Sequence, residues 1–281
     1  MFRPIAHVLV SVPVAELRKR PAHYSELLTQ ALLGEPLEIG ARTADRKWLR
    51  VRRWDGYCGW MRSWSVTPLS AAASKSWQAS LSVQVAARSA SVMAEPTTSA
   101  ALVCELPLGT RLPALGGRGG WARTLLPSER PGWLRRSLLV GIPAGPLGPA
   151  SVISTAREFA GTPYLWGGVT PWGCDCSGLV QAVFRSCGVA LPRDAGDQLS
   201  ALRAVVLDNR SSRFRPGDLL FFGTSGKAMS HVAISVGGSR FVHAYGYVRE
   251  GNLKEGSPGF VPDLARILRA AARPLEGQKK G

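Results

Sequence analysis

Hydrophobic positions along this chain change their period near its middle. In the first half, apolar residues come in short runs separated by Gly and Pro, and within a run they tend to alternate with polar ones. Pro36-Leu37-Glu38-Ile39 and Trp48-Leu49-Arg50-Val51-Arg52 are examples. A period of two puts successive side chains on opposite faces, so these runs predict half-buried strands joined by tight turns. The apolar stretch from Ile5 to Ala15 contains His7 and Pro13 and reads as a first strand. Beyond Pro146 the pattern differs. Ser151 to Phe159 reads as a helix, and Leu179, Val180, Val183, Phe184 and Cys187 recur at helical spacing until Gly188 supplies a stop. Strand-like runs follow at Asp218–Phe222, His231–Val236 and Arg240–Ala244, with Gly237-Gly238 as a hairpin signal between the last two. Residues 261–273 read as a terminal helix. Helices followed by antiparallel strands predict an α+β domain.

The strand-rich half contains an internal repeat. Pro21 lies 12 residues before Leu33-Gly34, and Pro96 lies 12 residues before Leu108-Gly109. Trp48 precedes Trp60 by 12 residues, and Trp121 precedes Trp133 by the same distance. Two modules of about 65 residues follow, each a small β-barrel with tryptophans in its core. Expected boundaries are 1–68 and 80–141, with 148–281 as the third domain. The Ser- and Ala-rich residues 66–80 and the stretch 141–146 read as linkers. Aligning the copies sets Glu26 opposite Ala101 and Tyr57 opposite Arg130. The first copy thus has a carboxylate and a phenol that the second lacks, from surface drift or to bind something cationic.

The formal net charge of +16 is spread along the chain. Basic residues exceed acidic ones by 5 in residues 1–70, by 5 in 71–149 and by 6 in 150–281. No basic cluster or recognition motif marks a nucleic-acid binder. A dispersed positive field suits anionic substrates or plain solvated surface. Five cysteines without framework spacing argue against a disulfide scaffold, and Cys174-x-Cys176 is too short for a zinc pair. No metal or cofactor is expected. No segment approaches membrane-spanning length, and the N-terminal run does not read as a signal peptide, so a cytoplasmic location is expected, with secretion or wall association as the alternative. Oligomeric state is not legible; a monomer is the working expectation.

The candidate chemistry centres on Cys176. At the start of a helix, free N–H groups and the macrodipole favour an anion, which predicts a lowered thiol pKa and a nucleophile. A structural cysteine in a core helix is the competing reading. A hairpin turn near Gly237 would set His231 opposite His243, within a residue of register. A base histidine oriented by a third group is what an activated thiol requires. His231 as base, His243 as orienter and Cys176 as nucleophile make that set.

Five ordered motifs now carry a resemblance: Tyr164-Leu165-Trp166-Gly167-Gly168, Asp175-Cys176-Ser177-Gly178-Leu179-Val180, Leu191-Pro192-Arg193-Asp194, Gly217–Phe222 and His231–Gly237. Together they resemble the NlpC/P60 cysteine peptidases, papain-like hydrolases of cell-wall peptides, over about residues 150–248. The two repeated modules resemble bacterial SH3 (SH3b) domains, notably in their Gly-Trp endings. The resemblance implies a multidomain chain: two all-β SH3b-like barrels, then an α+β papain-like domain. It implies γ-D-glutamyl-L-diamino acid endopeptidase activity on murein peptides bearing a free N-terminal L-Ala, hence muropeptide recycling. A secreted hydrolase of intact peptidoglycan and a non-catalytic wall-binding protein are the alternatives. By the same resemblance Tyr164 helps form the oxyanion site, and Ser177 and Asp194 contact the peptide. Trp166 joins the substrate-binding set. In the first module Tyr57 and Glu26 would hold the L-Ala amine, with Glu16 a rival for the acid. Cys174 departs from the family pattern and is expected only to pack, and the basic tail Arg266–Lys280 carries no usable motif.

Overall fold

The computed structural model describes residues 2–202, 214–224 and 229–275. The part of the basic tail beyond Leu275 lies outside the described residues. The chain divides into two compact units, 1–142 and 143–281.

The N-terminal unit holds both repeats. The first forms β1 (Ala6–Val10), β2 (Val14–Arg18), β3 (Leu27–Leu32), β4 (Pro36–Arg42), β5 (Trp48–Arg52), β6 (Cys58–Arg62) and β7 (Val66–Leu69). The second forms β8 (Leu81–Val85), β9 (Ser89–Met93), β10 (Leu102–Pro107), β11 (Arg111–Arg118), β12 (Trp121–Leu125), β13 (Pro131–Arg135) and β14 (Leu139–Gly141). Strand order is β3-β2-β6-β5-β4-β1-β7 in one sheet and β10-β9-β13-β12-β11-β8-β14 in the other. The second order is the first displaced by seven strands, so the spacing of Pro, Gly and Trp reports a true duplication. Alternation is visible in burial: Val8, Leu17, Leu37, Ile39, Val51 and Met61 form one barrel core, and Val85, Val92, Leu106, Leu112 and Leu134 the other.

The expected linker 66–80 is structured. Its first residues are β7, which pairs with β1, and Ala71–Ser80 is the helix α1. Ser70 caps α1 by accepting the Ala73 N–H, and Ala is the strongest helix former. Trp77 anchors the helix by donating its indole N–H to the Gly34 carbonyl at 2.8 Å. Leu33, from the first repeat, packs in the second repeat's core, so the two barrels are one body with α1 as a strut.

The C-terminal unit begins with α2 (Pro149–Arg157), the short pair β15 (Val169–Thr170) and β16 (Gly173–Cys174), α3 (Cys176–Ser186) and α4 (Ala195–Ala201). A five-stranded antiparallel sheet follows, built from β17 (Leu219–Phe222), β18 (His231–Gly237), β19 (Arg240–Tyr245), β20 (Tyr247–Asn252) and β21 (Leu268–Ala272), in the order β20-β19-β18-β17-β21. α3 packs on α2 and on β18 and β19, burying Leu179, Val180, Val183 and Phe184 completely. The expected helix over 261–273 is only α5 (Pro262–Ile267). Leu268–Ala272 instead pairs along β17, because a free sheet edge offers hydrogen bonds that outweigh the helical preference of its alanines. Leu220, Phe222, Ala233 and Phe241 pack with Leu264 of α5 and Ala271 of β21. No helix among the described residues is long and apolar enough to cross a membrane.

Candidate active site

The site is assembled where α3 starts against β18. Asp175 is the N-cap of α3: its Oδ1 accepts the Gly178 N–H at 2.7 Å. Cys176 is therefore the first helical residue, as the periodicity predicts. The backbone N–H groups of Ser177 and Val232 point at its sulfur, which places the thiol at the start of β18, the strand that His231 begins. A Cβ on Gly178 would collide with the Gly168 carbonyl oxygen, so only glycine lets this helix turn lie against the Tyr164–Gly168 loop.

The two histidines meet, but not in the expected register. The β18–β19 ladder pairs Ile234 with Val242 and Ser235 with Phe241, and an irregularity follows before the Gly237–Arg240 pair. Counting outward, Tyr245 lies across from His231, and His243 is its diagonal neighbour on the same face. The expected direct cross-strand pair is thus a diagonal one, which long or aromatic side chains still span. His231 Nε2 and His243 Nδ1 are 3.0 Å apart, and both rings are buried. Phe241 meets His243 edge-on at 4.9 Å, and Phe222 packs at 5.7 Å against His231. These fully buried phenyl rings fix the imidazoles in place.

That contact decides which nitrogen does what. With Nε2 of His231 committed to His243, Nδ1 is left for the thiol. For Nδ1 to accept a proton, Nε2–H must donate to His243 Nδ1, and His243 then carries its own proton on Nε2. That Nε2 is buried without a hydrogen-bond partner among the described residues. An orphaned buried N–H costs about 1–3 kcal/mol, held here for the sake of one tautomer.

Burial governs the titration. It pushes the Cys176 thiol up to about 11, with the Asp175 carboxylate adding to the rise. The expectation of a lowered thiol pKa is corrected: desolvation outweighs the helix terminus. Burial holds His231 down to about 4, partly opposed by Asp175, and holds His243 down to about 3, aided by the charges of His231 and Arg249. The resting pair at neutral pH is a thiol and a neutral imidazole. Tyr164 is raised to about 12 by burial and by the charges of Cys176 and Asp175, so its phenol remains a proton donor.

Depressed histidine pKa values have a cost in acid. An unfolded histidine binds its proton near pH 6.5, while the folded His231 resists it down to about 4. The unfolded state then holds more protons, so stability falls as pH drops from about 6.5 towards 4. Urea unfolding of the C-terminal unit should lose about 2–5 kcal/mol between pH 7 and 4.5, and His243→Gln should lose less over the same range. A flat profile would contradict these burial effects.

Around Cys176 lies a buried polar cluster that motif reading passed over. Arg193 grips Asp175 with both arms, Nη1 to Oδ1 at 3.0 Å and Nη2 to Oδ2 at 2.6 Å. The same Nη1 donates to Ser177 Oγ at 2.8 Å, and Asp175 Oδ2 also accepts the Gly167 N–H. Gln198 Nε2 donates to the carbonyls of Ser177 and Pro192. The only sequence signal was that Arg193 sits inside the Leu-Pro-Arg-Asp motif.

The structure thus brings Tyr164, Cys176, Ser177, His231 and His243 together. Tyr164 is tied in by a bridge to Cys174 and by its N–H to the Gly246 carbonyl. Asp194, exposed, occupies the N-cap position of α4 next to Arg193, without a side-chain capping hydrogen bond, and Trp166 is exposed on the loop that contacts Asp175. Cys174 is wholly buried. Glu26 and Tyr57 belong to the N-terminal unit. Glu26 is exposed and ion-paired with Lys19 at 2.9 Å, and Tyr57 is half-buried beside Arg53 and Asp55. Glu16, the rival acid, pairs with Arg18. Among the described residues no group of His, Cys, Asp and Glu could hold a metal.

Comparison with known proteins follows the same division. Residues 161–258 match the NlpC/P60 family, and residues 17–65 match the bacterial dipeptidyl-peptidase SH3 domain. The chain is 30% identical over 264 residues to the γ-D-glutamyl-L-lysine dipeptidyl-peptidase of Bacillus cereus, covering 87% of this chain and 75% of that protein. It is 28% identical over 280 residues to dipeptidyl-peptidase 6 of Lysinibacillus sphaericus, covering 94% and 98%. A crystal structure of an NlpC/P60 family protein from Bacillus cereus superposes with a TM-score of 0.79 at 24% identity, over 96% of this chain and all of that one, which fixes the common fold.

Proposed function

The chain belongs to the NlpC/P60 family of cysteine peptidases, and on that premise we propose that it cleaves the γ-D-glutamyl–L-diamino acid bond of murein peptides whose N-terminal L-Ala is free. It is a hydrolase of peptidoglycan peptides. The finer reading rests on one observation above all: a buried thiol at the start of α3 beside a histidine pair whose contact leaves one imidazole nitrogen for it.

In the mechanism, Cys176 passes its proton to His231 Nδ1 as the sulfur attacks the γ-carbonyl carbon. The C=O π electrons move to oxygen, and the Tyr164 phenol donates to the developing oxyanion. On collapse the C–N bond breaks and His231 returns the proton to the leaving amine. Water, deprotonated by His231, then hydrolyses the thioester and restores the thiol. A neutral resting pair fits this sequence, because His231 must be able to accept a proton at every turnover. His243 keeps the imidazole in the required tautomer. Ser177, Asp194 and Trp166 are assigned to the peptide, and Glu26 with Tyr57 to the L-Ala ammonium. The Lys19 partner of Glu26 is exposed, so a substrate ammonium can exchange with it at little cost.

In intact peptidoglycan that amine is amide-linked and uncharged, so recognition of the ammonium selects released peptides and suits recycling inside the cell. The test is hydrolysis of L-Ala-γ-D-Glu-L-Lys beside its N-acetylated form. Cleavage of the free peptide alone supports the proposal; equal cleavage of both refutes the amine requirement and favours the wall-hydrolase reading.

A further inference from the structure

A cavity of about 450 Å³ opens beside the catalytic histidine. Tyr164, His231 and Tyr245 form its catalytic side, and Val261, Leu264 and Ile267 form its apolar side. Among the described residues Asp263 is the one acidic side chain that lines it. The apolar side and the acid come from α5 and the residue before it. These lie past residue 258, where the match to the family model ends.

The chemistry of the walls is that of a long cationic side chain. Val261, Leu264 and Ile267 suit a methylene stem, and a carboxylate at the pocket suits the ammonium at its end. Tyr164 and Tyr245 add aromatic surface to the same space. Position gives the direction. His231 must reach the leaving amine to protonate it, so a cavity lined by His231 receives the leaving residue.

Resting on the peptidase reading above, we propose that this cavity is the leaving-group subsite and that Asp263 receives the side-chain ammonium of the diamino acid. Asp263 is paired at 2.7 Å with Arg266, but both side chains are about three-quarters exposed. An exposed pair of this kind contributes little and yields readily to a competing cation. Arg266 is then a resident competitor for the substrate charge.

The test is steady-state kinetics of the full chain on L-Ala-γ-D-Glu-L-Lys and on the same peptide ending in L-norleucine, which keeps the stem and lacks the ammonium. The wild-type KM should be about 3- to 5-fold lower for the lysine peptide, the range of a partly exposed charge pair, with kcat similar. Asp263→Asn should bring the ratio of the two KM values close to one, Asp263→Glu should keep most of it, and Arg266→Ala should widen it. Equal KM values in the wild type, or a ratio that Asp263→Asn leaves intact, overturn the subsite. Cleavage of neither peptide overturns the peptidase reading itself and the subsite with it, an outcome distinct from cleavage of both without preference.

Discussion

Cys176→Ala is expected to abolish turnover while the fold stays intact. Removing a covalent nucleophile from a preorganised site costs on the order of 10⁴–10⁶-fold in kcat, because only substrate binding and the oxyanion donors remain. The structural cost should be small. The side chain is one sulfur atom against well-packed neighbours, and the lost burial is worth about 1 kcal/mol. Thermal unfolding should therefore move by only a few degrees. Circular dichroism melts measured with single-turnover assays separate the two effects. Activity within tenfold of wild type would overturn the nucleophile assignment, and so would a large fall in stability that accounts for the lost activity.

The same site predicts how activity follows pH. The free thiol sits near 11 and His231 near 4, so the protonation of the pair hardly changes between about pH 5 and 9. A lowered thiol pKa would instead give a thiolate–imidazolium pair whose loss appears at both ends of a narrow bell. The difference comes from Asp175 and from burial, neither of which the helix-start position alone reveals. Cys176 is only 9% exposed, enough for burial to outweigh the helix terminus.

What the sequence made legible follows from local rules. The Trp48–Trp60 and Trp121–Trp133 spacings reported two barrels of one strand order, since each Trp occupies a fixed strand position. Leu179, Val180, Val183 and Phe184 reported α3, and with it the placement of Cys176 on the first turn. Competing energies hid the rest. In α1 the Ser-Ala composition lacks an apolar stripe, so nothing periodic announced a helix that Ser70 caps and Trp77 anchors. In Leu268–Ala272 local alanine propensity pointed to a helix, and the unpaired edge of β17 decided otherwise. The His231–His243 register shifted because the turn falls at Gly238-Ser239, closed by the Gly237–Arg240 pair, rather than around Gly237. Arg193 and Asp175 are 18 residues apart and on no common periodic face, so only the fold brings them together.

That last pair carries the second large effect. Arg193→Met is expected to destabilise the C-terminal unit by about 3–5 kcal/mol, the usual result of leaving one buried charge without its partner. Asp175 would keep its N–H donors from Gly167 and Gly178 but lose both guanidinium arms, and Ser177 would lose its donor. A unit of this size should melt about 10 °C lower. Activity should fall further than stability explains, because the unbalanced carboxylate lies beside Cys176 and opposes formation of the thiolate. Arg193→Lys should recover part of the stability but not the two-armed grip, since an ammonium cannot hold both carboxylate oxygens and Ser177 in one plane. The double variant Asp175→Asn with Arg193→Met makes the argument specific. With no buried charge left unpaired its stability should recover towards wild type, and an asparagine side-chain oxygen at the N-cap can still accept the N–H that starts α3. If the double variant is as unstable as Arg193→Met alone, the loss is one of packing rather than of charge. If Arg193→Met melts like wild type, the ion pair does not hold the start of α3 at all.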